Sequence, residues 1–404
     1  MRILFLSPRF PLPAVKGDKL RAWQFIRLLS EAHEVVLLSY VASEEERARL
    51  QEVASFCKLE TIPFRKPART AGVFRAMAMR RPFQAALYES SAMRAAVRNW
   101  LPEVDAVHCN TVRIAGNVPM PCPAPLVVDF IDALSQTYRG VGETMSLPLS
   151  AAVAGEARRL RIWEQELAQR ASRSLAVSAH DAALLGADVR VIRHCVDVDS
   201  FIPPSPEASP RKDIVFTGTL GDRPNAEAAW RLAREIFPYV CQQVPDARLR
   251  IVGPDPRGLA REIASERITV TGCGPAIVGE LQGAAAAAAP VKAGGGVKTK
   301  VLEAMACGAP VVATSEANQG IEASPGEEIL IGDNAKDFAR CLVELLNDRE
   351  WAAALGRAGR ELTVRTFSWR QVGKELLALY EELGSAKDAH RRVSLTEFQG
   401  SEEA

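Results

Sequence analysis

Lys292-Ala-Gly-Gly-Gly-Val-Lys-Thr-Lys-Val-Leu-Glu-Ala-Met-Ala-Cys-Gly-Ala-Pro-Val-Val-Ala-Thr314 is the stretch whose reading decides the fold. A strand-length apolar run, 284–291, leads into it, and another, 310–314, ends it. Between them three glycines open an amphipathic helix with Val297, Val301, Leu302 and Met305 on one face. Strand, glycine loop, helix and strand make one unit of a parallel α/β sheet. No Ser, Thr, Asp or Asn stands just ahead of the first turn to cap its free N–H groups. Lys298 and Lys300 lie in that turn, where the helix dipole disfavours cations by roughly 0.3–1 kcal/mol each. An anion docked at the helix start, phosphate above all, accounts for all three features. Read alone, the stretch also fits a glycine loop that merely joins a strand to a core helix.

Outward from this unit the same rhythm repeats. In the first half the strand-like runs are 3–6, 34–39, 59–62, 106–109, 126–130, 175–178 and 189–192, apolar throughout, as strands buried on both faces should be. Helical stretches such as 19–32 and 152–170 fall between them. Residues 201–211 are rich in proline and carry no period, which marks a linker. After them come runs at 214–217, 249–252, 268–271, 284–291, 310–314 and 329–331, again with helices between. The alanine run 284–289 reads as a thin buried strand, its small side chains allowing a helix close above it. Helices at 335–347, 351–363 and 369–383 close the chain. The fold class is therefore α/β, with two Rossmann-like doubly wound parallel-sheet domains: 1–200, a linker at 201–211, 212–368, and a disordered tail at 385–404. Ligands of such sheets sit at the carboxyl ends of strands, so two halves facing an interdomain cleft predict a ligand held in two parts.

Length and composition exclude several classes. The 404 residues carry 50 Lys and Arg against 49 Asp and Glu, a net charge of +1 that argues against a nucleic-acid partner. The eight cysteines show neither a C-x-x-C pair nor a zinc spacing, which predicts reduced, buried thiols. No apolar run reaches ~18 residues, and the first strand begins directly after Met1. The expected location is cytoplasmic.

The string Lys300-Val-Leu-Glu-Ala-Met-Ala-Cys-Gly-Ala-Pro-Val-Val-Ala-Thr314 resembles the signature of retaining glycosyltransferases of the GT-B fold, family 4. Gly17, Val196-Asp-Val-Asp-Ser-Phe201, Ile214-Val-Phe-Thr-Gly218, Ala247-Arg-Leu-Arg-Ile-Val-Gly253 and Phe367-Ser-Trp369 fit as well, so the resemblance covers roughly residues 1–385. The loop 8–19 looks most like the bacterial sugar transferases of exopolysaccharide clusters. The resemblance implies sugar transfer from a nucleotide diphosphate sugar, with retention and without a metal or other cofactor. UDP is favoured over GDP, the first domain takes the acceptor, the second takes the donor, and a helix at 369–384 packs back on the first domain. The acceptor is a glycan, a lipid-linked glycan or a small natural product.

Residue by residue, the family assigns Glu303 to the ribose hydroxyls, in keeping with a carboxylate that accepts two hydrogen bonds. A second glutamate, common eight positions earlier, is here Gly295, so the backbone of Gly295, Gly296 and Val297 is left to hold the diphosphate and sugar. Arg223 or Lys298 is the phosphate clamp and Lys300 its structural neighbour. Gly218, Thr219 and Gly272 line the nucleotide, with Asn225 as cap of the helix that follows. In the first half Gly17 permits close approach to phosphate, with Asp18 as the cap of its helix. His108 and Asn110 end one strand, Asp129 and Asp132 the next. Asn110 takes the position at which relatives often place His beside the reacting sugar, His108 reads equally well as a core residue, and Asp132 is the acceptor-side candidate.

Other strings carry less. Asp197-Val-Asp199 has a manganese-binding form, but its place before the linker makes it structural. Residues 64–83 hold six Lys or Arg and no acid, the pattern of a basic face that contacts anionic membrane or is simply solvated. Gly295, Asn110 and His194-Cys195 depart from the family pattern, and they motivate one alternative, a nucleotide-sugar-binding subunit of a partner transferase; an epimerase of the same fold is another.

Overall fold

The computed structural model describes residues 1–14, 16–64, 81–143, 145–186, 188–205, 213–256, 258–272, 277–292 and 296–400, with side chains through residue 385. It divides into two compact units, 1–193 with 372–404, and 194–371. The predicted basic face at 64–83 lies mostly outside the described residues, as does Gly295.

The first unit is built on seven strands: β1 (Arg2–Ser7), β2 (Glu34–Val41), β3 (Lys58–Pro63), β4 (Ala106–Asn110), β5 (Leu126–Ile131), β6 (Arg173–Ala176) and β7 (Val189–Val191). All pair in parallel, in the order β3-β2-β1-β4-β5-β6-β7. Ile3, Leu4, Phe5 and Leu6 are fully buried, which is why β1 reads as a continuous apolar run and not an alternating one. Helix α1 (Gly17–Ser30) returns the chain from β1 to β2. It is entered through Lys16 without a side-chain cap, and Asp18 lies inside its first turn, so the expected capping by Asp18 is corrected. Helix α2 (Leu149–Arg170) lies between β5 and β6.

The second unit carries β8 (Asp213–Thr217), β9 (Arg248–Val252), β10 (Ile268–Thr271), β11 (Ala286–Ala289), β12 (Val311–Ala313) and β13 (Leu330–Ile331). Their order, β10-β9-β8-β11-β12-β13, repeats the pattern of the first sheet, again wholly parallel. In each sheet the strand order reverses beside the unit's first strand, between β1 and β4 and between β8 and β11. Ligands of open α/β sheets bind at such switch points. β11 is four buried alanines, and Val301 and Ala304 of the helix that follows it line the same narrow space. Helix α3 (Arg223–Arg231) follows β8 and α4 (Thr299–Ala306) follows β11.

Helix α4 ends for a local reason. Ala309 N–H donates to Ala304 O and Gly308 N–H to Met305 O, with Gly308 at φ 71°, the left-handed stop favoured by glycine. A Cβ on Gly356 of α5 (Arg349–Phe367) would lie 2.2 Å from Gly308 O, so that close crossing requires glycine too. The closing helix α6 (Trp369–Gly400) begins in the second unit and continues as part of the first. Its backbone is described through Gly400, beyond the expected helix end near 384. No described helix is long and apolar enough to cross a membrane.

Candidate functional site

The switch point of the second unit is built from the exits of β8 and β11. α4 starts at Thr299, with Lys298 in the cap position and no side chain capping its amides. Val297, Val301, Leu302 and Met305 are all buried, which fixes that helix face on the sheet. Its free N–H groups therefore stay at the carboxyl edge. Gly296, at φ 71°, turns the chain into this helix start.

Lys300 runs back across the sheet edge. Its Nζ donates to Asn225 Oδ1 at 2.6 Å and lies 4.4 Å from the centre of the buried Phe216 ring. Asn225 Nδ2 donates to Thr219 O at 3.1 Å, so the amide links the β8 exit loop to α4. The expected capping by Asn225 is thus corrected: Asp222 holds the cap position and Asn225 sits inside α3. Gly218, at φ 157°, stands where β8 ends, and a Cβ on it would lie 2.7 Å from Lys300 Nζ. Burial disfavours the Lys300 ammonium and lowers its pKa to about 8; Glu303 opposes the shift and Lys298 adds to it.

Glu303 lies one turn further along α4, half-buried, with its carboxyl pushed upward by burial and pulled back by Lys300. It accepts no hydrogen bond from the described residues. A half-desolvated carboxylate in that state has acceptor capacity for two donors, as a vicinal diol would supply. Lys298 Nζ donates to Gly296 O at 3.1 Å, which ties it to the loop. Arg223 is exposed and its Nε bonds Glu227 at 2.6 Å, an i,i+4 surface pair on α3. Gly272, just after β10, is exposed and its α-carbon faces open space. The structure thus gathers Gly218, Thr219, Gly296, Val297, Lys298, Lys300 and Glu303 around one strand-end edge, and leaves the Arg223 guanidinium on the surface of α3.

In the first unit Asn110 ends β4 beside the end of β1. Its Nδ2 donates to Asp18 O at 3.3 Å and approaches Ser7 Oγ at 3.5 Å, while its buried Oδ1 has no hydrogen-bond partner among the described residues. That oxygen is an acceptor in want of a donor. Thr111, next in sequence, has φ 75°, and Ile131 at the end of β5 has φ 68°. Left-handed backbone is costly for β-branched residues, about 1–3 kcal/mol each, and such strain collects at functional edges. Asp132 follows Ile131, half-buried, accepting from Thr137 Oγ1 at 3.3 Å. Its carboxyl is raised by burial, with nearby Asp181 adding to the shift. Gly17 opens α1, and a Cβ placed on it would meet nothing within 4 Å.

His108 does not join this group. It is fully buried, its Nδ1 lies 2.8 Å from Tyr380 OH, and its ring stacks on Phe5 at 4.5 Å. Burial lowers its pKa to about 4. The expectation that it faces the reacting sugar is corrected in favour of the core reading: two residues before the strand end, the same face lies beneath α1 and α6. Asp129 mainly accepts Arg21 through both oxygens at 2.6 and 3.1 Å, with Ile131 N–H as an added donor at 3.2 Å. Arg21 also donates to Arg193 O at 3.0 Å. Arg21, Tyr380 and the Lys300 link through Asn225 were not singled out from the sequence, because a basic or polar residue on a helix gives no signal of a partner more than 70 residues away. Asp197 caps its own turn, accepting from Asp199 N–H, Ser200 N–H and Ser200 Oγ. Among the described residues no group of three or more His, Cys, Asp or Glu is placed to hold a metal.

Comparison with known proteins agrees with this architecture. Residues 211–348 match the family model of glycosyl transferases group 1. A GDP-mannose-dependent monoacylated alpha-(1-6)-phosphatidylinositol monomannoside mannosyltransferase of Corynebacterium glutamicum is 30% identical over 202 residues, 45% of this chain and 53% of that protein. The chain spans about half the length of the curated relatives it matches. Among solved structures, Anabaena Alr3699/HepE in complex with UDP-glucose superposes with a TM-score of 0.68 at 16% identity, over 95% of this chain and 100% of that one. Sucrose-phosphate synthase from Thermosynechococcus elongatus gives 0.70 at 18% identity, over 96% and 100%. The two parallel-sheet units have the GT-B fold, and the second carries a glycosyl transferases group 1 domain.

Proposed function

We propose that this chain, a GT-B scaffold with a glycosyl transferases group 1 domain, moves a sugar from a nucleoside diphosphate sugar to an acceptor hydroxyl with retention of configuration. The observation that carries the reading is the edge between β8 and β11: uncapped amides of α4, Lys298 and Lys300 beside them, and Glu303 one turn on without a hydrogen-bond donor among the described residues. The amides and Lys298 bind the diphosphate, and Glu303 binds the ribose hydroxyls. Lys300, held by Asn225, keeps positive charge at the point where the leaving diphosphate gains negative charge. Arg223 reaches the same phosphates by exchanging Glu227 for the ligand.

The first domain, 1–200 with the helix from 369, takes the acceptor, and 212–368 takes the donor. Asn110 Oδ1 accepts a hydroxyl of the sugar undergoing transfer, and Asp132 orients the acceptor. Retention is assigned to a same-face displacement in which the leaving phosphate takes the acceptor proton. UDP is the first donor base and GDP the second, in line with the UDP-glucose complex and the GDP-mannose-dependent relative. That relative's lipid acceptor, together with the basic stretch 64–83, favours a lipid-linked glycan met at the cytoplasmic membrane face.

Thermal unfolding with UDP, GDP, ADP and dTDP tests the assignment. A nucleotide at a hundredfold excess over its Kd stabilises by about 2.7 kcal/mol. One of the four is expected to raise the melting temperature, and the corresponding sugar nucleotides to be slowly hydrolysed. No shift with any of them overturns the donor site. Binding without hydrolysis or transfer would identify a nucleotide-sugar-binding subunit instead.

A further inference from the structure

One guanidinium laces the carboxyl edge of the second sheet. Arg231 is the last residue of α3, and its side chain is buried. One terminal nitrogen donates to Pro290 O at 3.3 Å, at the exit of β11, and the other to Asp333 O at 2.7 Å, just beyond β13. Two strand exits on either side of β12 are thereby joined through a single side chain. The exit of β12 is tied in as well. Thr314 Oγ1 donates to Val291 O, and the Asp333 carboxylate accepts from Ser315 N–H at 2.8 Å and Ser315 Oγ at 2.7 Å. The carbonyls of Pro290 and Val291, which the sheet leaves over where β11 ends, are thus both engaged by side chains.

A buried guanidinium is a costly way to satisfy two carbonyls. Burial lowers its pKa, opposed by Glu235 at 3.6 Å and by Asp333. What it supplies that a smaller donor does not is a rigid fork with two nitrogens at fixed separation. The same helix also holds the far side of the turn between β11 and α4, because Asn225 Oδ1 accepts Lys300 Nζ at 2.6 Å. α3 therefore grips the chain before the turn, at Pro290, and after it, at Lys300. Within the turn Val297 is buried against Gly320, where a Cβ would come 2.9 Å from Val297 Cγ2. Glycine loses more conformational freedom on ordering than any other residue. Fixing both ends of a glycine-led turn beforehand reduces the part of that loss which a ligand has to offset.

We propose that Arg231 is a positioning residue of the donor site: with Asn225 it fixes both ends of the turn that presents the α4 amides, so that these amides meet a diphosphate already in place. The inference rests on the reading of that edge as the donor site. Arg231 acts through Pro290 and not by touching the ligand, since its terminal nitrogens are given to the two carbonyls. It therefore governs affinity for the phosphates and leaves affinity for the nucleoside nearly unchanged. Thr314, through Val291 O, supports the same end of the turn.

The test is calorimetric titration of the full chain with UDP, GDP, ADP and dTDP and with the matching nucleosides. Arg231→Met is expected to weaken the diphosphate that the wild type binds at least about tenfold, and its nucleoside less than about threefold, as displaced binding groups would. Arg231→Lys keeps the charge but not the fork, and should recover part of the diphosphate affinity. Thr314→Val, close to the same shape, releases Val291 O and should give the same selective loss at smaller size. That variant decides the matter if Arg231→Met does not fold. Equal losses for diphosphate and nucleoside would make Arg231 a structural residue only and overturn the proposal. Diphosphate binding unchanged in both Arg231→Met and Thr314→Val also overturns it, while the donor site stands. If the wild type binds none of the four nucleotides, the donor reading itself falls and takes this inference with it.

Discussion

The two sheets share one strand order, yet their switch points use polar side chains in opposite ways. At the β1/β4 edge the charges turn inward: Arg21 and Asp129, both fully buried, satisfy each other, and His108 closes on Tyr380 of α6. At the β8/β11 edge they remain half-buried and incompletely matched, with Glu303 lacking a donor among the described residues and Lys300 held by a neutral amide. The first arrangement fastens a closing helix to a sheet. The second keeps binding capacity in reserve, at the cost of two unfavourably shifted groups. Identical topology therefore sets where a site can form, and side-chain satisfaction decides whether it is stabilising or receptive.

The largest expected effect lies on the satisfied side. Arg21→Met strands the Asp129 carboxylate in the core and should lower stability by about 3–5 kcal/mol. Denaturant unfolding checks this, and nucleotide affinity of the folded protein should be unchanged. A small loss would mean that water reaches Asp129 and that the two edges differ less than their burial indicates.

On the receptive side Glu303→Ala should cost ~1.5–3 kcal/mol of donor binding by leaving two ligand hydroxyls without a charged acceptor. That is at least about tenfold in Kd. The melting temperature without nucleotide should hold or rise slightly, because a desolvated carboxylate is removed. Normal donor binding with early unfolding would make Glu303 a structural residue and erase the contrast. Lys298→Ala should weaken UDP by about 0.5–1 kcal/mol relative to uridine, a modest effect because the group is half-exposed at a helix start. Equal losses for nucleotide and nucleoside would move Lys298 away from the phosphates.

The smallest effects are in the pH profile. Lys300 has a pKa of about 8 against 10.5 for the free group, so between those values the unfolded chain holds a proton that the folded one has released. Its contribution to stability rises with pH across that window. Diphosphate affinity should fall over the same range as the ammonium is lost, and Lys300→Met should abolish the dependence. His108, lowered to about 4 from 6.5, is the same case at lower pH: its contribution is fully present above 6.5 and is lost as pH falls towards 4. Unfolding of His108→Gln across pH 4–7 checks it, a flatter profile than wild type being expected.

Much of this architecture was legible because its signals are local. Apolar runs such as 3–6 and the alanines of β11 announce strands buried on both faces, and α4 declares its inner face and glycine stop within one contiguous stretch. Partner choice was not legible. Asn225 had the composition of a cap and became the bridge to Lys300, 75 residues on, since Asp222 already occupied the cap position. His108 and Asn110 share a face of β4, and only packing beneath α1 and α6 separates a core histidine from an edge amide.

By itself, then, the order of residues determined two parallel α/β sheets and the glycine-led, lysine-bearing helix start, because periodicity, turn chemistry and capping act over a few residues. The tertiary structure alone decided which charges are consumed and which are held ready. Burial and pairing depend on what folds over a side chain from distant sequence, and a carboxylate such as Asp129 or Glu303 carries no local mark of whether its neighbour will be a guanidinium or an unfilled edge.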